Sequence, residues 1–241
     1  MCIVQDDAKN KHDQISALGG IYANAVLTIV ATSGASMDEH IQGVGCAWQV
    51  QVAHDLLGLK LINKLPDPEH ILRGSVWANR GWTYQENVLS RRKLYCTATD
   101  VLYDCQSFRQ AQNSSALTYY SLSSRLKPPT IYFPRRNSQL FSHHLGYYNS
   151  RSFTYSEDIY EAFAGIYHAI YENRDSCFFG IPKQDLDKIL LWISLPTHGR
   201  SSTQPMMRTS DLVPLPTWSW TSRIARIHHE GLENEDFGTF G

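Results

Sequence analysis

The sequence has no apolar run approaching the roughly 18 residues a membrane span requires. Its longest, Ala23 to Ala31, is interrupted by Asn24 and Thr28. No excess of either charge is present: Lys plus Arg total 22, Asp plus Glu total 23, and the formal charge is −1. That balance speaks against nucleic-acid and membrane partners, both of which call for an uncompensated basic surface. The start, Met1-Cys2-Ile3-Val4-Gln5-Asp6-Asp7, has neither the basic flank nor the apolar core of a secretory signal. Five scattered cysteines, Cys2, Cys46, Cys96, Cys105 and Cys177, lack C-x-x-C or Cys/His zinc spacing. Reduced thiols in a cytoplasmic protein are therefore expected. Neither G-x-G-x-x-G, nor a Walker loop, nor G-x-S-x-G occurs. The adjacent pairs His143-His144 and His228-His229 are poorly placed to share one ion, so no metal site is expected.

What is present is an ordinary globular composition, 42% hydrophobic and 12% aromatic in 241 residues. A chain of this length buries a substantial core without staples. Ile15, Leu18, Tyr22 and Ala25 recur at three, four and three, predicting a helix over 8–25. Gly19-Gly20 would weaken it unless a neighbour packs close. The β-branched run Val26 to Ala31 predicts a buried strand, and in the weakly patterned stretch 37–74 Leu56 to Leu61 is a candidate strand. A helix is expected from Thr83 to Arg92, then a hairpin formed by 93–96 and 101–105. Residues 106–142, rich in Gln, Ser and Asn, read as a surface segment. Thr154-Tyr155-Ser156-Glu157 is a capping box ahead of a helix bearing Ile159, Phe163, Ile166 and Ile170. Pro182 opens a further predicted helix with Leu186, Leu190 and Ile193 on one face. Residues 199–210 read as a polar loop, Pro216 to Trp220 as an aromatic strand, and the tail after His229 as frayed.

The densest chemistry lies in 77–92, with two indoles, three guanidiniums and Glu86. A carboxylate beside aromatic rings can orient a ribose hydroxyl and stabilise the cation formed when a glycosidic bond breaks. Thr83-x-x-Glu86 is also a capping box, in which Glu86 would only satisfy backbone N–H groups. Both readings stand on the residues alone. Gln5-Asp6-Asp7 is a second acidic group, with a stabilising role at a helix start. Trp82, preceded by Gly81, is expected to pack against the Val26–Ala31 strand. Trp218 and Trp220 read as core.

Cys2-Ile3-Val4-Gln5-Asp6-Asp7, Ile21-Tyr22-Ala23-Asn24-Ala25, Thr28-Ile29-Val30-Ala31 and Arg80-Gly81-Trp82-Thr83-Tyr84-Gln85-Glu86 together resemble the fungal heterokaryon incompatibility (HET) domain. Arg151-Ser152-Phe153-Thr154-Tyr155, Asp158, Ala162-Phe163-Ala164-Gly165-Ile166 and Pro216-Thr217-Trp218-Ser219-Trp220 are similar to the segment that commonly follows it. The resemblance implies an α/β fold with an incomplete TIR-like (flavodoxin-like) parallel sheet, then a mainly helical region with an aromatic strand. The corresponding division is a partial HET domain at 1–105, a linker or irregular segment at 106–150 and a helical companion at 151–241. It further implies a role in fungal non-self recognition and programmed cell death, with NAD as candidate substrate and no resident cofactor. Glu86 would be catalytic, with Arg80, Trp82 and Trp77 as its NAD-binding companions. HET domains usually begin upstream, with a Ser-Tyr-x-Trp-Gly-like strand. The resemblance therefore reads this chain as amino-terminally truncated, with an open sheet edge near Val26 to Ala31 and no NAD cleavage by the chain alone. The alternative is a non-catalytic interaction module, or an inactive paralogue, that self-associates or binds another incompatibility protein.

Overall fold

A computed structural model describes residues 7–32, 34, 39–41, 43–44, 52–63, 65–105, 108–111, 117–119, 137–156, 158–171, 177–195, 206–207, 216–224 and 226–229. The predicted tail after His229, most of the 199–210 loop, Gln5, Asp6, Glu157, Cys2 and Cys46 lie outside the described residues. Among the described residues, Cys96 and Cys177 are free thiols.

The chain opens with α1 (Ala8–Asn24), whose first turn is capped by the Asp7 carboxylate accepting from the Asn10 N–H at 3.0 Å. Asp7 thus has the stabilising role open to an acid at a helix start. β1 (Thr28–Ala31) follows, then β2 (Ala53–Leu56) and β3 (Leu59–Ile62). The single strand expected over Leu56–Leu61 is instead a hairpin, because Leu57 and Gly58 turn the chain at φ 51° and 81°. Three short helices come next: α2 (Pro68–Gly74), α3 (Val76–Asn79) and α4 (Thr83–Leu89). They lead into β4 (Arg92–Cys96), β5 (Val101–Cys105), β6 (Phe108–Ala111) and β7 (Leu117–Tyr119).

The sheet runs β1-β4-β5-β6-β7. Only β1 and β4 are parallel, and the remaining neighbours are antiparallel. The fold is thus mixed α/β with a mixed sheet, where the resemblance had implied a parallel one. The reason is local: Thr97 and Asp100 close the β4–β5 turn through the Thr97 hydroxyl, which serves the Asp100 backbone in both directions. A tight turn of this kind reverses the chain at once, and no crossover helix is possible.

The second half supplies α5 (Asn137–Tyr148), α6 (Asp158–Tyr171), β8 (Cys177–Phe178), β9 (Ile181–Pro182), α7 (Leu186–Ile189), β10 (Trp192–Leu195), β11 (Met206–Met207), β12 (Arg223–Ile224) and β13 (Arg226–His229). β10 pairs with β13, and β11 with β12. β6, β7 and α5 occupy part of the stretch whose composition suggested an irregular segment. After Pro182 a 3-10 turn and one turn of α7 replace the longer expected helix, and Ile193 lies in β10. Leu186 and Leu190 face solvent while Ile189 is buried, so the spacing had marked the wrong side. Pro216 to Trp220 is a turn entering a 3-10 turn at Trp220–Ser222, not a strand, because the Ser219 side chain caps it by accepting from the Thr221 N–H.

One large core joins Tyr84 and Leu89 of α4 to α5, α6, Ile181, Ile189, Trp220 and Ile227. A smaller one fills the sheet face with Val30, Leu72, Trp77, Tyr95 and Leu102. α1 crosses α6 where Gly19 meets Gly165, and a Cβ on Gly165 would lie 2.5 Å from Gln85 Oε1 and 3.0 Å from Gly19 Cα. The paired glycines in a helix therefore separate into two roles. Gly165→Ala is expected to lose about 1–3 kcal/mol to overpacking, against a propensity gain of about 1 kcal/mol. Gly20→Ala, with nothing within 4 Å of its Cβ, is expected to gain up to about 1 kcal/mol. Urea melts of the two variants distinguish a packing requirement at Gly165 from a general intolerance of the helices.

Candidate functional site

The site is built on the turn between α3 and α4. The Ser75 hydroxyl caps α3, accepting from the Ala78 N–H at 3.0 Å and donating to the Leu72 carbonyl at 2.7 Å. This one-turn helix aims Trp77 into the sheet core, edge-on to Tyr95 with ring centroids 5.5 Å apart. The expectation that Trp82 covers the strand at Val26–Ala31 is corrected here: Trp77 fills that place, beside Val30. Trp82 lies against the larger core, and its indole N–H donates to Asp158 Oδ2 at 2.9 Å.

The turn residues are committed to the segment that follows α5. The Gly81 N–H donates to the Ser152 carbonyl at 2.9 Å, and the Ser152 N–H to the Asn79 carbonyl at 2.7 Å. A Cβ on Gly81 would fall 2.0 Å from the Phe153 ring, which explains a glycine here. Arg151 donates to the Arg80 carbonyl at 3.1 Å and sits 4.6 Å over the Tyr84 ring. Burial lowers the Arg151 pKa to about 10, while the nearby Tyr84 opposes the shift. The Tyr84 hydroxyl and His144 Nδ1 are hydrogen-bonded at 2.9 Å. Arg80 to Gln85 thus form a latch closed by residues 151–165.

Glu86 has a different environment. α4 begins without a side-chain cap, and the Thr83 hydroxyl turns to the carbonyls of Trp77 and Arg80. The capping box that its sequence permits is not made. Instead Glu86 Oε1 accepts from the Trp77 indole N–H at 3.3 Å, and Oε2 has no partner among the described residues. Burial raises its pKa to about 7, with the Trp77 bond, Lys93 and Arg80 pulling in the opposite direction. Tyr22 of α1 is pushed up to about 12, first by burial and then by the Glu86 carboxylate. Lys93 donates to the Asn87 carbonyl at 2.7 Å and lies 3.6 Å from buried Asp104, its cross-strand partner.

Of the four residues singled out by sequence, the structure therefore gathers Glu86, Trp77 and Arg80 and directs Trp82 elsewhere. Tyr22 and Lys93 are neighbours that sequence reasoning did not select. Tyr22 was visible only as an apolar helix position, and Lys93 only as one residue of a predicted hairpin. The histidine pairs have other uses: His229 is bonded at Nε2 to the Ile189 carbonyl at 3.0 Å and at Nδ1 to Ser142, and burial lowers its pKa to about 4.

Residues 1–86 match the family model described as Heterokaryon incompatibility protein (HET). The match covers 86 of the 241 residues, hereafter the HET segment. No curated protein and no solved structure matches it. The HET match ends at Glu86, so the latch residues Arg80 to Gln85 belong to the HET segment and their partners, Arg151 to Gly165, lie beyond it. Among the described residues no helix is long and apolar enough to cross a membrane. A carboxylate held near pKa 7 is present in both protonation states at neutral pH, the condition for proton transfer. In its ionised form it can also stabilise an adjacent cation.

Proposed function

We propose that this HET-type protein acts in fungal non-self recognition and programmed cell death, and that Glu86 is the carboxylate through which it cleaves NAD. The observation that supports this most is the uncapped Glu86 side chain: one oxygen is oriented by the Trp77 indole and the other has no hydrogen-bond partner among the described residues. In the reaction, water adds to the ribose anomeric carbon as its bond to the nicotinamide nitrogen breaks; neutral nicotinamide leaves with the bonding pair, and the added water gives up one proton to solvent, leaving ADP-ribose. Ionised Glu86 would hold the ribose and offset the positive charge developing on it. Arg80, whose guanidinium is exposed and has no side-chain partner among the described residues, would meet the phosphates. Trp77 orients Glu86 and supports it from the core, and Trp82 contributes by fixing the latch. The parallel β1–β4 pair, joined through a helical crossover, is the feature in keeping with a TIR-like arrangement.

Incubating the whole chain with NAD and quantifying nicotinamide tests the proposal. Because Glu86 is uncapped, release is expected, in place of the inactivity that the truncated reading implied, with a loss of at least about a hundredfold in Glu86→Gln and unchanged circular dichroism. Equal release from both proteins, or none from the natural chain, would overturn it. The second reading, a non-catalytic HET module, draws on the commitment of Arg80 to Gln85 to packing. It expects cell death to survive Glu86→Gln and to be lost when the latch is broken.

A further inference from the structure

Two unfinished surfaces occur in the same chain. The first is the β2–β3 hairpin, all eight of whose strand residues are exposed. Cross-strand register places Leu56 opposite Leu59 and His54 opposite Leu61, with Asp55 opposite Lys60 and Ala53 opposite Ile62. Side chains alternate along each strand, so Leu56, Leu59 and Leu61 share one face with His54, and Asp55 and Lys60 share the other with Ala53 and Ile62. The hairpin is amphipathic, and its apolar face meets solvent: Leu59 is 68% exposed. Its tip is Leu57, 97% exposed and at φ 51°. A leucine is unfavourable there on both counts, since a left-handed turn favours Asn or Gly and exposure favours a polar side chain. A two-stranded hairpin alone is marginal in water and gains stability from a third strand or a covering surface.

The second is the outer edge of β1, which ends the sheet and has no strand partner on that side among the described residues. Its sequence, Thr28-Ile29-Val30-Ala31, carries none of the lysines or prolines that usually protect an edge. Val30 is buried at 1%, but Ile29 is 61% exposed and Val26 and Leu27 beside it are exposed as well. Each surface has what the other needs. The strands that would meet are each four residues long, their outer edges have no strand partner among the described residues, and both carry exposed apolar side chains.

We propose that two copies of this chain associate by seating the β2–β3 hairpin of each on the free β1 edge of the other. The formal charge of −1 offers little repulsion to such self-association. Reciprocal exchange makes the contact twice. That brings a small arm-on-edge contact toward the about 1,200–2,000 Å² of stable interfaces. A membrane fits less well, because the hairpin strands balance one acid, Asp55, against one base, Lys60. The inference concerns a surface remote in role from Glu86 and does not depend on NAD chemistry.

Light scattering on the eluting chain at tens of micromolar is expected to give twice the monomer mass. Leu59→Asp on the arm and Ile29→Lys on the edge alter exposed side chains, and thermal melts are expected to show both variants folded. Each alone is expected to dissociate at least about tenfold more readily. An equimolar mixture restores one intact contact, an Ile29→Lys arm on a Leu59→Asp edge, and is expected to recover heterodimer. A monomeric natural chain, a variant that dimerises as the natural chain does, or a mixture without heterodimer would overturn the proposal. So would flotation of a monomeric chain with phosphatidylserine–phosphatidylcholine vesicles, which would assign the hairpin to a lipid surface.

Discussion

Trp220→Ala is expected to destabilise the fold by about 3–5 kcal/mol, the range of large-to-small changes at buried aromatics. Trp220 is 1% exposed and lies edge-on to Phe163 and Tyr148, with centroids at 5.8 and 6.1 Å. Its indole N–H donates to the Gly180 carbonyl at 2.8 Å. Truncation would open a void where α5, α6 and the β8–β9 turn meet and would leave that carbonyl unpaired. Gly180 itself, at φ 80°, would place a Cβ 3.0 Å from the indole, so the turn and the ring are fitted to each other. Trp218, two residues earlier, is 40% exposed and stacks on exposed Phe178 at 5.7 Å. Trp218→Ala is expected to cost no more than about 1 kcal/mol. Urea midpoints of the two variants check the contrast, and comparable losses would show that the core does not centre on Trp220.

The same pair shows where the sequence was legible and where it was not. Alternation of apolar and polar residues around Thr97 to Asp100 revealed the β4–β5 hairpin, because a two-residue period and a turn are local properties. α6 was equally plain from Ile159, Phe163, Ile166 and Ile170, all of which are buried. Trp218 and Trp220 looked alike, since what separates them is the 3-10 turn capped by Ser219 and the distant Gly180 carbonyl. α5 escaped notice because its buried face includes Ser138 and His144, polar residues that blur the periodicity. At the site, Glu86 stood out as a carboxylate among indoles and guanidiniums. The part played by Trp82 did not, because its partner Asp158 lies 76 positions away. The capping box at Thr83 was a sound local expectation that long-range packing displaced: Arg151 and the turn carbonyls occupy the hydroxyl that would have capped α4.

Glu86 gives the second large effect, on the dependence of stability on pH. Its folded-state pKa is raised to about 7, chiefly by burial, against about 4.3 for a glutamate in an unfolded chain. The native protein therefore holds this proton more tightly than the unfolded one. The associated stabilisation is fully present below about pH 4.3 and is lost as pH rises through about 7. Over that window the natural chain is expected to lose on the order of 3–4 kcal/mol from this group, less whatever solvent screens at a half-buried side chain. Glu86→Gln does not ionise, so its stability is expected to change less across the same interval and to exceed that of the natural chain at pH 8. Urea melts at pH 5, 6, 7 and 8 on both proteins measure the difference. Parallel curves would mean that Glu86 is hydrated in the folded chain.

Folding leaves Glu86 half-buried and uncapped, with its pKa near neutrality, while its neighbours in the motif are absorbed into the latch. Titration of the Glu86 side-chain carboxyl by carbon-13 NMR, assigned by its absence in Glu86→Gln, tests this most directly. A single inflection near pH 7 is expected. An inflection near pH 4.5, the ordinary glutamate range, would contradict it and would return Glu86 to the role of a solvated or capping side chain.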